Sequence, residues 1–139
     1  MVSHILNSLL VIFLGSPGVA SPIICTQGKV TKVEFGIVKN EALEFCTNSD
    51  KNVFLSKSCR DKKCTAFQKN KKYALSEVMS PMGNPGFKMC RLLGGEPEII
   101  EFYVKKVPYK LDRCFFKNGD FADTSSLMEF HLQRPAAAN

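Results

Sequence analysis

The run Asn84-Pro85-Gly86-Phe87-Lys88-Met89-Cys90-Arg91-Leu92-Leu93-Gly94-Gly95 decides how the rest of the chain is read. Asn84 suits a helix N-cap, and Pro85 suits the first helical position, where its missing N–H removes nothing. The helix is predicted to run to about Leu93 and to stop at Gly94, a residue free to turn left-handed. Gly86, Met89, Cys90 and Leu93 recur at i, i+3, i+4 and i+7, which puts Cys90 on the buried stripe.

Downstream, Ile100, Phe102 and Val104 alternate with Glu101, Tyr103 and Lys105, the period of a strand. Leu111 to Phe116 reads as the returning strand. Asn118-Gly119 reads as a two-residue hairpin turn, setting Lys117 opposite Asp120 and Phe116 opposite Phe121. Cys114 shares its face with Phe116, so helix and hairpin each offer a cysteine to one core. A Cys90–Cys114 bridge closing about 25 residues would contribute roughly 3 kcal/mol through chain entropy.

Upstream, turn formers cluster at Ser80-Pro81-Met82-Gly83-Asn84-Pro85-Gly86. Before them, Val33, Phe35 and Ile37 alternate with Lys32 and Glu34, and Leu43 and Phe45 flank Glu44. Val53-Phe54-Leu55 and Thr65-Ala66-Phe67 are weaker strand candidates, and Asn48-Ser49-Asp50 is turn chemistry. The fold class expected is a small disulfide-stabilised α+β protein, an N-terminal antiparallel sheet followed by a helix plus β-hairpin unit. The organisation expected is a signal peptide over 1–20, a β-rich cysteine-containing region over 21–80, a helix–hairpin region over 81–133 and a flexible tail over 134–139. No repeat of 20 to 50 residues is visible.

The chain's 139 residues allow one compact domain or two small subdomains sharing a core, and exclude a large multi-domain enzyme. Residues 5–15 form an apolar run too short to span a bilayer, which needs about 20 residues. Gly18-Val19-Ala20 then offers small residues for cleavage after Ala20, although no Lys or Arg precedes the run. Cys25, Cys46, Cys59, Cys64, Cys90 and Cys114 all follow that point, and their even number reads as three disulfides in an oxidising compartment. Spacing leaves the pairing of the first four open. The product expected is periplasmic or secreted, with no transmembrane anchor after cleavage.

Asn84-Pro85, Cys90, Gly94-Gly95, Cys114, Asn118-Gly119-Asp120 and Asp123 followed by Leu127 resemble a bacterial family of small exported cysteine-containing domains of unknown function, often carrying a hemolysin label. The resemblance covers residues 84–127 or so, and the chain lacks the tryptophan such domains carry near their end. It implies an envelope location and no particular activity.

Chemistry is thinly represented. His131 is the one imidazole after the cleavage point, and no Gly-x-Ser-x-Gly elbow accompanies it. Glu96, Glu98 and Glu101 are carboxylates by type, with Glu101 on the predicted outer face. Cys59-Arg-Asp-Lys-Lys-Cys64 has knuckle-like spacing, but three basic residues crowd it and a disulfide is favoured over zinc. No catalytic residue, cofactor or metal is therefore assigned, and the protein is expected not to be an enzyme.

The formal charge of +6 is concentrated in residues 57–72, where Lys57, Arg60, Lys62, Lys63, Lys69, Lys71 and Lys72 stand against Asp61 alone. The rest of the chain balances, twelve basic residues against twelve acidic. Such a field attracts polyanions over about 8–10 Å in physiological salt. The functional expectation is a binding module of the bacterial envelope, holding an anionic polymer, lipid headgroups or an acidic protein. The plain alternative is a solvated face whose lysines keep strand edges apart. A membrane-active effector and a disulfide-stapled inhibitor of a secreted hydrolase are the other readings. Nucleic acid is not expected as a partner.

Overall fold

The computed structural model describes residues 21–134; the expected signal peptide (1–20) and all but the first residue of the expected tail (134–139) lie outside them. Six strands, β1 (Ile24–Glu34), β2 (Ile37–Thr47), β3 (Phe54–Leu55), β4 (Glu96–Val104), β5 (Val107–Phe115) and β6 (Phe121–Asp123), close into a barrel in the order β1-β2-β3-β6-β5-β4. Helix α1 (Leu75–Val78) and helix α2 (Pro85–Leu92) connect β3 to β4, and α3 (Thr124–His131) follows β6. The class is α+β with an antiparallel sheet and three disulfides, as the sequence indicates. The regions on either side of residue 80 share one closed sheet, since β1 pairs with β4 and β3 with β6.

Helix α2 matches its sequence signals. The Asn84 side chain accepts from the Gly86 N–H at 2.8 Å, and Gly94 turns left-handed at φ +87°. Gly86, Met89, Cys90 and Leu93 are all buried. Cys90 bonds Cys114, and Gly95 passes so close that an added Cβ would lie 2.3 Å from the Cys114 sulfur. Only glycine fits there, whatever its dihedral angles. The remaining pairs are Cys25–Cys46, joining directly opposed residues of β1 and β2, and Cys59–Cys64, closing a short ring.

Two expectations about turns are corrected. Val33, Phe35 and Ile37 do not share one strand: Phe35 and Gly36 form the two-residue turn between β1 and β2, both at positive φ, and Phe35 is 96% exposed. Lys105 and Lys106 make the equivalent turn between β4 and β5, again with both φ positive. At Asn118-Gly119 the loop has three residues rather than two. Phe116 N–H donates to the Asp120 carbonyl at 2.8 Å, Gly119 takes the left-handed position, and Phe115 pairs with Phe121. A type I turn closed by a left-handed glycine uses the same dipeptide as the tighter turn, with a register one residue different. The shift sends Phe116 under the helices and Asp120 toward Ser58 and Thr65, so neither the Phe116–Phe121 pair nor the Lys117–Asp120 pair forms. Thr65–Phe67 is likewise a 3-10 turn and not a strand, following directly on the Cys59–Cys64 ring with Ala66 and Phe67 buried.

The core has two chambers. Inside the barrel, Phe54 stacks among Phe45, Phe102 and Phe121 with centroids 4.8–5.1 Å away, alongside Val30 and Ile100. Outside it, α2, α3 and the 3-10 turns bury Met89, Leu127, Val78, Phe67 and Phe116 against Cys90–Cys114. β5 divides the two, with Leu111 and Phe115 facing the barrel interior and Cys114 facing the helices.

Barrel closure rests on β3 and β6, which share a single register pair, Leu55 with Ala122. Asp123 reinforces it. Its carboxylate accepts from the Phe54 N–H at 2.8 Å, and from the Ser126 N–H and hydroxyl at 2.7 and 2.8 Å, capping α3 in the same stroke. Asp123→Ala leaves two buried N–H groups unanswered and removes a cap, a loss of about 2–4 kcal/mol in urea-denaturation stability, whereas Asp123→Asn keeps one acceptor and loses less. Replacing Cys90 and Cys114 together by alanine lowers stability by a further ~3 kcal/mol on the same assay.

Candidate functional site

The basic window folds around the Cys59–Cys64 ring. A 3-10 turn (Lys57–Cys59) leads out of β3, the ring carries Arg60 to Lys63, and a second 3-10 turn (Thr65–Phe67) leads to Lys69–Lys72. Lys57, Arg60, Lys62, Lys63, Lys69 and Lys72 are exposed, and Lys71 is partly buried. Asp120 pins the ring from below. It accepts from the Ser58 hydroxyl at 2.5 Å, the Asn118 amide at 2.9 Å and the Thr65 N–H at 3.2 Å. Burial pushes the Asp120 carboxyl up, but these three donors outweigh it and hold it below its ordinary range.

The Lys69–Lys72 segment is laid along the end of α3. Tyr73 pairs with Leu132, and Tyr73 N–H donates to the His131 carbonyl at 2.8 Å. His131 itself is fully buried, with Nδ1 2.7 Å from the Lys71 carbonyl oxygen and Nε2 2.7 Å from that of Ala66. The imidazole is thus buried between two carbonyls of the 66–71 segment, and its ring N–H ties that segment to the helix. Lys72 lies over the Phe130 ring at 4.5 Å, and Lys62 over Phe67 at 5.9 Å.

These placements bring Lys62 and Lys72 to the walls of one open groove of about 620 Å³, together with Arg134 and with Phe130 and Leu132. Glu129 is the one acidic side chain lining it. Lys57 stands apart, 3.5 Å from Glu44 of β2. Arg134 and Glu129 were not part of the sequence-derived patch, because they approach it only through the return of α3.

Cys59, Cys64 and Asp120 are close enough in space for a metal ion, but both sulfurs are tied in a disulfide and neither is a thiolate ligand. The carboxylates Glu96, Glu98 and Glu101 are separated in role. Glu96 is exposed, and Glu101 accepts from the Tyr103 hydroxyl, a bond that raises the phenol's pKa. Glu98 belongs to a charge cluster inside the barrel mouth that the sequence reading missed. Arg113, 1% exposed, donates through Nε to Glu98 at 2.7 Å and lies 3.6 Å from Glu41; Lys32 donates to Glu98 at 2.9 Å and lies 3.9 Å from Glu41. The Arg113 guanidinium also sits between the Phe115 and Phe121 rings, at 5.2 and 5.0 Å, and its Nη1 has no hydrogen-bond partner among the described residues. Two cations and two anions cancel there, so the cluster fills the barrel end with no net charge. The signal was present in the alternation of Leu111, Arg113 and Phe115, whose shared face turns into the barrel.

Searches of family models, of curated proteins and of solved structures return no match to this chain.

Burial pushes the Glu98 carboxyl up; the bonds from Lys32 and Arg113 outweigh burial and hold it below its ordinary range. The hydrogen bond to Glu98 in turn raises Lys32. A lowered folded-state carboxylate stabilises the fold above its unfolded-state pKa, and that support is lost as pH falls through the folded value. Glu98→Gln leaves Arg113 buried beside Glu41 alone, which lowers stability at neutral pH by about 3 kcal/mol. The variant should also lose part of the acid sensitivity, seen as a flatter dependence of Tm on pH below the ordinary carboxylate range.

Proposed function

We propose that this protein is an exported, non-enzymatic binding module, periplasmic or secreted, that docks an anionic partner on the surface built by residues 57–72. One observation carries the reading: the entire net charge of the chain lies in a window that folds as a stapled, exposed loop. Lys62, Lys72 and Arg134 share one groove with an aromatic wall, an arrangement suited to a flexible polyanion that can lay charges beside the ammonium groups and apolar atoms on Phe130. The disulfide ring and the Asp120 anchor hold the loop in shape before binding, which reduces the ordering entropy that association must overcome. Three disulfides, with no helix among the described residues long and apolar enough to cross a membrane, are compatible with an extracellular setting.

Retention on a dextran sulfate matrix should fall steeply as salt rises from about 50 to 500 mM, because the attraction is screened within a Debye length. Lys62→Glu, Lys63→Glu, Lys71→Glu and Lys72→Glu in combination should abolish retention while the thermal transition stays cooperative. Unchanged retention removes the proposal. Dye release from phosphatidylglycerol vesicles separates it from the membrane-active alternative, since a docking module leaves the vesicles intact.

A further inference from the structure

The barrel is closed by short strands, so its long strands are only partly paired. β2 pairs with β1 along its whole length, but with β3 only at Cys46 and Thr47. From Ile37 to Phe45 its other edge pairs with no strand among the described residues. The residues flanking the two-residue turn, Glu34 and Ile37, exchange backbone bonds with each other, so along β2 the odd positions bond β1 and the even positions Val38, Asn40 and Ala42 direct N–H and C=O outward. Ile37 and Val38 are each 62% exposed.

Such an edge is a template for another strand, and its sequence specifies which one. Ile37-Val38-Lys39-Asn40-Glu41-Ala42-Leu43 is complementary to its own antiparallel copy about Asn40. In that register Ile37 faces Leu43, Val38 faces Ala42, Lys39 faces Glu41, and Asn40 faces Asn40, each pair from opposite copies. We propose that two copies of this protein associate by pairing β2 with β2 across a two-fold axis at Asn40, joining two barrels through one continuous sheet.

Three features favour this occupant. The register matches apolar with apolar and cation with anion at every unlike pair, and opposite charges facing across strands stabilise where like charges would repel. A slip of two residues sets Lys39 against its own copy or Glu41 against its own copy, so the charges also select the register. The outward N–H and C=O groups fall on Val38, Asn40 and Ala42, the positions that meet as bonded pairs, giving about six backbone hydrogen bonds. The side chains that must re-pair are accessible: Lys39 is 51% exposed and bound to exposed Glu34, and Glu41 is 44% exposed at the rim of the charge cluster. A self-matching interface of this kind is isologous, as two-fold dimers require.

Sedimentation velocity of the disulfide-intact protein from about 1 to 500 µM should show a concentration-dependent doubling of mass. Val38→Pro removes an outward donor without touching a β1 bond, and should raise the dimer dissociation constant at least tenfold. Asn40→Asp is nearly isosteric and retains the acceptor for the Thr31 hydroxyl, which lies 2.8 Å from Asn40 Oδ1, but it sets two carboxylates face to face at the axis. It too should weaken the dimer at least tenfold, most at low salt, and it decides the matter if Val38→Pro fails to fold. A protein that stays monomeric over the whole range, or a dimer as tight in Asn40→Asp as in the parent, overturns the proposal.

Discussion

The closure of the barrel through β3 and β6 is the constraint on which the other features depend. Two strands of two and three residues, meeting at one register pair, do not hold a six-stranded sheet together by backbone bonds alone. What completes the seam is side-chain chemistry. Asp123 reaches from β6 to the Phe54 amide, and Ser56, just beyond β3, exchanges bonds with Phe121 through both its backbone N–H at 2.9 Å and its hydroxyl at 3.1 Å. The seam in turn places Phe54 at the centre of the aromatic cluster, and it sets the direction in which α3 leaves the sheet. Because α3 starts on the same carboxylate, the helix that clamps the basic loop through His131 is oriented by the barrel's weakest joint.

That carboxylate also opposes the rest of the molecule in its response to pH. Burial is the dominant influence on Asp123 and raises its pKa despite three donors, so its ionised form destabilises the fold and acid relieves it. Glu98 and Asp120 respond in the other direction, their donors outweighing burial, and acid removes their support. The fold therefore carries both signs of carboxylate linkage. Acid thus withdraws support from the barrel mouth and the basic loop while it relieves the buried charge at the seam.

What the sequence made legible was local. Helix α2 was readable because Asn84, Pro85 and Gly94 each act within a turn of their own position, and the Cys90–Cys114 pair followed from the helical stripe and the strand face. The hairpin at Asn118-Gly119 was readable as a turn but not in register, since glycine serves two loop lengths and only the packing of Phe116 beneath the helices chooses between them. Phe35 in a left-handed turn runs against its propensity, and the alternation of Val33, Phe35 and Ile37 concealed it. Arg113 was hidden because a guanidinium reads as solvent-facing, and only Glu98 of β4 and Glu41 of β2, brought beside it by the closed sheet, account for its place on the inward face with Leu111 and Phe115. Helix α3 was missed because its first turn, Thr124-Ser125-Ser126, is polar and its cap, Asp123, also ends a strand. The basic window was legible as charge; its groove was not, since Arg134 and Glu129 arrive from that unread helix.

The topology repeats itself although the sequence does not. A hairpin with a two-residue turn, a short strand and a helical segment occur in that order twice, and the strand order is unchanged when β1, β2 and β3 are exchanged with β4, β5 and β6. The exchange makes β2 and β5 counterparts, each with one long edge that pairs with no strand among the described residues: Ile37 to Phe45 on β2 and Val107 to Asp112 on β5. The two edges are treated differently by their residues. On β5 the second position after the turn is Pro108, whose N–H would point outward by the same parity that turns out Val38, so this edge lacks its first donor. Asp112 on the same edge is held by the Asn84 amide at 2.8 Å, which brings the cap of α2 across it. β2 has no proline, no strand among the described residues pairs with this edge from Ile37 to Phe45, and the charges at its centre, Lys39 and Glu41, have opposite signs placed symmetrically about Asn40. A fold that blocks one of two equivalent edges and leaves the other open, with a self-matching pattern, points to the open edge as a surface kept for pairing and not as a defect of a short-seamed barrel.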